Sequence, residues 1–177
     1  MTQDAPALPG KPVSASRVTL AQLMQPQHAS YLGFVHGGEI MRLIDEVGAL
    51  ACMRHAGRYV VTVAVDQIHF NEPIRIGDLV LLTAEVSYVG RTSMEVEVQV
   101  VAENPLTGER RHTNTAYLVY VALDEEGRPT PVPPLLLENE HQRRRFQEAQ
   151  ERRAVRLARR RQRRVTPLHG DPEGGDG

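Results

Sequence analysis

Residues 39–55, E-I-M-R-L-I-D-E-V-G-A-L-A-C-M-R-H, decide how the rest of the chain is read. At the helical step of about 100° per residue, Ile40, Met41, Leu43, Ile44, Val47, Leu50 and Ala51 cover well over half of the circumference. Only Glu39, Arg42 and Glu46 form a polar arc. A helix this apolar is buried on several sides rather than laid on a surface. Gly57 follows at the position where glycine ends helices. Something has to wrap around the helix.

The residues downstream can do so. Residues 59–70 read as a strand in which Val61, Val63 and Val65 alternate with Val60, Thr62 and Ala64. Residues 79–89 place Val80, Leu82, Ala84, Val86 and Tyr88 on one face, with Thr83, Glu85 and Ser87 on the other. Residues 92–103 place Met94, Val96, Val98 and Val100 inward and Glu95, Glu97 and Gln99 outward. Residues 104–108, N-P-L-T-G, are a turn, and residues 111–123 a last strand. Period-two alternation over hairpin-linked strands means an antiparallel sheet with one apolar face. A short strand over residues 18–24 precedes the helix. The expected architecture is α+β, one curled antiparallel sheet around one long buried helix.

Composition sets the limits. The chain has 177 residues, 41% hydrophobic and 24% charged, as expected of one folded domain with an appendage. One cysteine, Cys52, excludes an internal disulfide framework and a Cys-based zinc site. The longest apolar run, residues 116–123, is too short to cross a bilayer, and the first seventeen residues lack the apolar core of a signal peptide. A cytoplasmic protein is expected. Its organisation reads as a disordered lead (1–17), the sheet-and-helix domain (18–136), and an Arg-rich helix with a disordered tail (137–177). The net charge of −1 conceals eleven Arg between positions 141 and 164. These basic residues lack interleaved aromatics after Phe146 and match no recognition motif, so a mostly solvated helix is expected and nucleic acid is not an expected partner.

Two features carry chemistry. Gly37 and Gly38 open the helix, where the first backbone N–H groups have no intrahelical acceptor and the helix dipole is positive. Without Cβ atoms, this backbone can be approached closely by a ligand oxygen on which negative charge develops. The alternative is a sharp turn that simply needs glycine. Asp45 lies in the middle of the apolar helix, off the polar arc and beside Met41, Gly48 and Cys52. A carboxylate kept in such surroundings is a candidate general base or nucleophile, or a structural acid paired across an oligomer interface. No spacing of His, Cys and acids points to a metal site, and no strand–G-x-S-x-G–helix arrangement supports a serine triad.

Four blocks, H-G-G-E-I-M-R-L-I-D (36–45), V-V-T-V-A-V-D-Q-I-H-F (60–70), P-I-R-I-G-D (73–78) and V-G-R-T-S-M-E-V (89–96), occur in an order that resembles the cytosolic acyl-CoA thioester hydrolases of the hotdog superfamily. The resemblance covers about 105 of the 177 residues, from His28 to about Pro134. It implies a hotdog fold, a homodimer with active sites at the subunit interface, and commonly a trimer of dimers, a hexamer. It implies hydrolysis of acyl-CoA to fatty acid and CoA, and so a place in fatty acid metabolism, with no cofactor and no metal because thiolate is already a competent leaving group.

In residue terms the resemblance makes Asp45 catalytic, and backbone at Gly37 and Gly38 the group that polarises the carbonyl. It puts Thr62 near the site on a strand contributed across the interface, and His36, Arg91, Thr92 and Ser93 near the substrate, with Arg91 the natural phosphate partner. Ser30 stands where many members have a functional Asn. Against this reading stand a non-catalytic hotdog acyl-CoA sensor whose Arg-rich tail contacts nucleic acid, and a dehydratase, which would need a His partner for Asp45.

Overall fold

Alternation of apolar and polar residues through three consecutive strands produces a sheet with one greasy face, and the helix that precedes them fills it. The computed structural model describes residues 8–165. In order, these form β1 (Lys11–Pro12), a 3₁₀ turn (Val13–Ser16), β2 (Val18–Leu23), a second 3₁₀ turn (Pro26–His28), α1 (Gly37–Ala56), β3 (Val60–Phe70), β4 (Leu79–Val89), β5 (Ser93–Glu103), β6 (Arg110–Ala122), β7 (Leu135–Leu136) and α2 (Glu140–Val165). Strands β2 to β6 make one antiparallel sheet in the order β2-β4-β5-β6-β3. The α+β architecture expected from the sequence is present, and α1 touches all five strands.

The core lies between α1 and the sheet. Ile44, Val47, Ala51 and Cys52 of α1 meet Leu82 and Val86 of β4, Val96 and Val98 of β5, and Leu118 and Tyr120 of β6, all without meaningful exposure. Burial pushes the Cys52 thiol far above its ordinary range, so it is an inert packing residue.

Two positions of the apolar arc that was expected to be covered are open. Met41 and Leu50 stay 47% and 41% exposed. Beside them, edge strand β3 leaves Val61, Val63 and Val65 uncovered. One chain's sheet curls round only part of α1. Two register shifts, between Thr62 and Ala64 and between Val65 and Gln67, disturb β3, and bulges of this kind re-aim side chains near edges.

The other face of the sheet corrects a second expectation. Glu95 and Glu97 do point away from the core, but the water expected there is replaced by α2. Glu95 is 1% exposed. Arg145 donates through Nε to Glu97 (2.9 Å) and through Nη1 to Glu85 (2.8 Å). Arg152 donates to Glu95 (2.8 Å) and stacks over Tyr117, and Arg156 pairs with Asp66 of β3. With the buried Ala149, these arginines line one side of α2. Most other residues of α2 are exposed, as expected of a largely solvated helix, while these arginines clasp one side of it to the sheet.

Tyr88 is also reversed. A register shift between Val86 and Tyr88 swaps the parity, so its ring meets Phe146 of α2 at 4.9 Å instead of facing the core with Val86. Nor is the lead wholly loose. Residues 11–16 form β1 and the first turn, with Val13 and Ser16 buried, and Ser16 Oγ accepts from Val86 N–H (3.0 Å). The disorder expected for residues 1–7 and 166–177 concerns positions outside the described residues.

Candidate active site

Gly37 and Gly38 begin α1, as the sequence implied, and His36 is the N-cap. The imidazole Nδ1 of His36 accepts the Gly38 N–H at 2.9 Å. A Cβ on Gly38 would lie 2.9 Å from that same nitrogen. The second glycine is thus required by the cap that folds over it; neither glycine has the positive φ of a sharp turn.

This corrects the expectation of a free Gly38 N–H, because that donor already has an acceptor. The Glu39 N–H is taken by His36 O. Gly37 N–H has no acceptor among the described residues, and Gly37 lines a cleft of about 250 Å³ with Val35, Ile40, Phe70, Asn71 and Ile74.

The P-I-R-I-G-D block builds the far wall of this cleft. Asp78, 5% exposed, accepts from Arg75 N–H (3.0 Å) and from Arg111 Nη2 (2.8 Å). That pins the loop so that Ile74 O receives Val35 N–H (2.9 Å). Ser30 sits in the turn just before, half-buried; its backbone bonds Phe34 O, and its hydroxyl makes only a long contact to Leu32 N–H (3.4 Å).

Asp45 lies two turns further along α1. It is exposed on the uncovered face of the helix, not enclosed as its neighbours led one to expect. Among the described residues it has no ion-pair partner. Instead Thr62 Oγ1 donates to its Oδ1 at 2.7 Å. The resemblance implied that Thr62 would arrive from across an interface, but the contact is made within one chain, because β3 runs antiparallel beside α1.

Tyr120, which the sequence reading passed over, places its hydroxyl 3.0 Å from the same Oδ1 and 2.9 Å from the Asp45 backbone carbonyl. Its place in the inward series Ala116, Leu118, Tyr120, Ala122 was the available signal. Burial, followed by the nearby Asp45 carboxylate, raises its phenol well above the usual range, so it remains a donor.

The expected site residues fall into three groups. Ser30, His36, Gly37 and Gly38 gather at the N-terminal end of α1. Asp45 and Thr62 form the second group. Arg91, Thr92 and Ser93 make the β4–β5 turn at the end of the sheet where α1 finishes, two strands in from β3. Arg91 is exposed, Thr92 O accepts from Ala122 N–H (3.0 Å), and Ser93 O accepts from Gly90 N–H (2.7 Å). Gly38 and Asp45 are seven residues apart, about 10 Å along the axis at the helical rise. One chain cannot bring both to the same carbonyl carbon. No group of three or more His, Cys, Asp or Glu among the described residues could hold a metal ion, and no helix among them is long and apolar enough to cross a membrane.

The arrangement is found in known proteins. The family model for the thioesterase superfamily matches residues 32–109. The chain is 37% identical over 142 residues to the cytosolic acyl coenzyme A thioester hydrolase of Rattus norvegicus, covering 79% of this chain and 37% of that protein. It therefore spans little more than a third of that relative's length. An apo-hexameric acyl-CoA thioesterase superposes with a TM-score of 0.83 at 39% identity, over 86% of this chain and 97% of the other. An acyl-CoA hydrolase from Staphylococcus aureus, solved in complex with butyryl coenzyme A, coenzyme A and coenzyme A disulfide, superposes with a TM-score of 0.82 at 35% identity, over 89% of this chain and 96% of the other.

Variants of the S. aureus protein with alanine in place of an asparagine, an aspartate and a threonine have also been solved, at positions 15 and 17 residues apart. Ser30, Asp45 and Thr62 are separated by the same intervals. A hotdog fold, near-complete coverage of these solved chains and the four sequence blocks lead to one conclusion: the chain belongs to the acyl-CoA thioester hydrolase family of the thioesterase superfamily.

Proposed function

We propose that this protein hydrolyses acyl-CoA to a fatty acid and CoA at a site shared between copies of the chain, with Asp45 as its reactive carboxylate. The observation that carries the reading is the Asp45 carboxylate itself. It is unpaired by any cation among the described residues, held at one oxygen by hydroxyls, and presented on the open face of α1 beside an uncovered apolar strand.

That face is where a second copy docks. Met41, Leu50, Val61, Val63 and Val65 are already about half-covered, so burying the remainder would contribute roughly 0.7–1.5 kcal/mol per side chain before the cost of association. It would also enclose Asp45. The helix start of the second copy then supplies what the first cannot place within reach: Gly37, which lines the cleft and whose N–H has no acceptor among the described residues, binds the thioester oxygen as charge develops on it. His36 holds Gly38 N–H alongside. The separation of the β4–β5 turn makes Arg91, Thr92 and Ser93 contacts for the pantetheine and phosphates of CoA, with Arg91 pairing phosphate oxygens. A dimer is the minimum working unit, and the hexameric relative supports a trimer of dimers.

In the reaction, Asp45 takes a proton from water as the water oxygen bonds to the carbonyl carbon. The tetrahedral intermediate collapses with cleavage of the C–S bond, and the thiolate leaves and takes up a proton. Direct attack by the carboxylate, followed by hydrolysis of the resulting anhydride, gives the same products. No step calls for a cofactor. The protein is expected to work in the cytoplasm, as the name of the rat relative says of that protein.

Release of free thiol from acyl-CoAs of graded chain length tests the activity. Asp45→Asn should retain assembly and CoA binding but lower turnover by roughly 100-fold or more. Near-normal turnover would remove Asp45 from the mechanism. Absence of thiol release from the unaltered protein at every chain length would leave an acyl-CoA-binding module.

A further inference from the structure

We infer that Tyr120 is a positioning residue that, with Thr62, fixes Oδ1 of Asp45 and leaves Oδ2 as the oxygen that acts on water or thioester. The inference rests on the reading of Asp45 as the reactive carboxylate and goes beyond it by assigning the working atom.

Thr62 and Tyr120 are direct partners across the β3–β6 ladder, and both aim a hydroxyl at the same oxygen. Oδ2 accepts no hydrogen bond among the described residues. A carboxylate on a solvent-facing helix turns about its Cβ–Cγ bond, exchanging its two oxygens. Two donors from two neighbouring strands stop that rotation, and the single Tyr120 proton, shared between Oδ1 and the Asp45 carbonyl oxygen, keeps the hydroxyl beside the helix backbone as well. Preorganisation of this kind keeps a reacting oxygen in line without reorientation during the reaction.

The packing is built around the hydroxyl. Tyr120 is the largest fully buried side chain in the described chain. Its Oη occupies the space left by Gly48, where a Cβ would come within 2.6 Å of it. A buried phenol is costly unless its hydroxyl has a partner, and here the partner is the carboxylate. Phenylalanine would fill the same volume without reaching Asp45.

The test is Tyr120→Phe, compared with Asp45→Asn in the thiol-release assay, with kcat and KM measured for each. Loss of orientation should lower kcat roughly ten- to a hundredfold with KM unchanged. A merely structural role would shift melting temperature and leave kcat of the folded protein unchanged. Gly48→Ala, which forces the hydroxyl aside while keeping it, should lower kcat in the same direction. If Asp45→Asn is inactive but Tyr120→Phe matches the unaltered protein in kcat, the assignment to Tyr120 is wrong and the role of Asp45 stands. If Asp45→Asn itself is fully active, both fail.

Discussion

Replacing Arg145 by methionine should be among the most destabilising single changes outside the core, and its magnitude follows from three side chains. Arg145, Glu85 and Glu97 are each about a tenth exposed, with side-chain values of 11%, 11% and 7%. The two glutamates are directly opposite one another on β4 and β5, where like charges repel. The guanidinium bridges them with bonds of 2.8 and 2.9 Å. Methionine keeps much of the stem but leaves two carboxylates facing each other under α2. Glu85 then keeps one cation, the largely exposed Arg17 at 2.6 Å, and Glu97 keeps only a neutral donor, Gln99 Nε2 at 2.8 Å.

Removing one partner of a buried ion pair costs about 3–5 kcal/mol. At ~2–4 °C per kcal/mol for a chain of this length, the melting temperature should fall by roughly 6–20 °C. Urea unfolding followed by circular dichroism, at fixed protein concentration because the protein is expected to associate, gives the free energy directly. Adding Glu97→Gln should recover most of the loss at pH 7. A penalty below about 1 kcal/mol, the scale of an exposed pair, would show that α2 rests on the sheet without being held by it.

Three further outcomes can be measured. His55 is fully buried with Nε2 bonded to Pro133 O (2.9 Å), and burial lowers its ionisation below the ordinary value of 6.5. The unfolded chain therefore binds the proton first, so His55 stabilises the fold above pH 6.5, and this contribution is lost as pH falls below it. A His55→Gln variant should show a flatter dependence of unfolding free energy on pH in that range; an unchanged slope would count against it. Gly38→Ala sets a Cβ 2.9 Å from His36 Nδ1 and should cost about 1 kcal/mol by breaking the cap. It should lower kcat too, since the neighbouring Gly37 N–H is then misaimed; full activity would separate the cap from the chemistry. Ser30→Asn, which restores the residue common in the family, should raise kcat by roughly two- to tenfold, since a carboxamide reaches further and offers two donors. An unchanged or lower kcat would mean that this chain has adapted to serine.

Local patterns were legible and their surroundings were not. Alternation located both ends of β4, and residues 39–55 lie within α1, because side-chain period is set by backbone geometry within one element. The same alternation put Glu95 and Glu97 correctly on the outer face but could not say that α2 covers it. That required matching the spacing of Arg145, Arg152 and Arg156 to carboxylates some 50 to 90 residues away in sequence. Tyr88 was misread because a bulge shifts parity without leaving a mark in composition. Asp45 was expected to be enclosed because the apolar arc of its helix was assigned to one chain, and part of that arc is open. The glycine pair and Asp45 were found as separate features. Their separation along α1 was already implicit in one helix opened by the glycines; which face of that helix stays open was not.

That separation has a genetic consequence. In a site shared between copies, each polypeptide lends its glycines to one catalytic centre and its acid to another. Two differently broken versions, one lacking the carboxylate and one with a spoiled helix start, would each be dead alone. Mixed together they would restore a single working centre per heterodimer, opposite a doubly crippled one. A cell carrying one normal and one acid-less allele would then keep one working centre for every intact acid, half the full number, however its subunits mix.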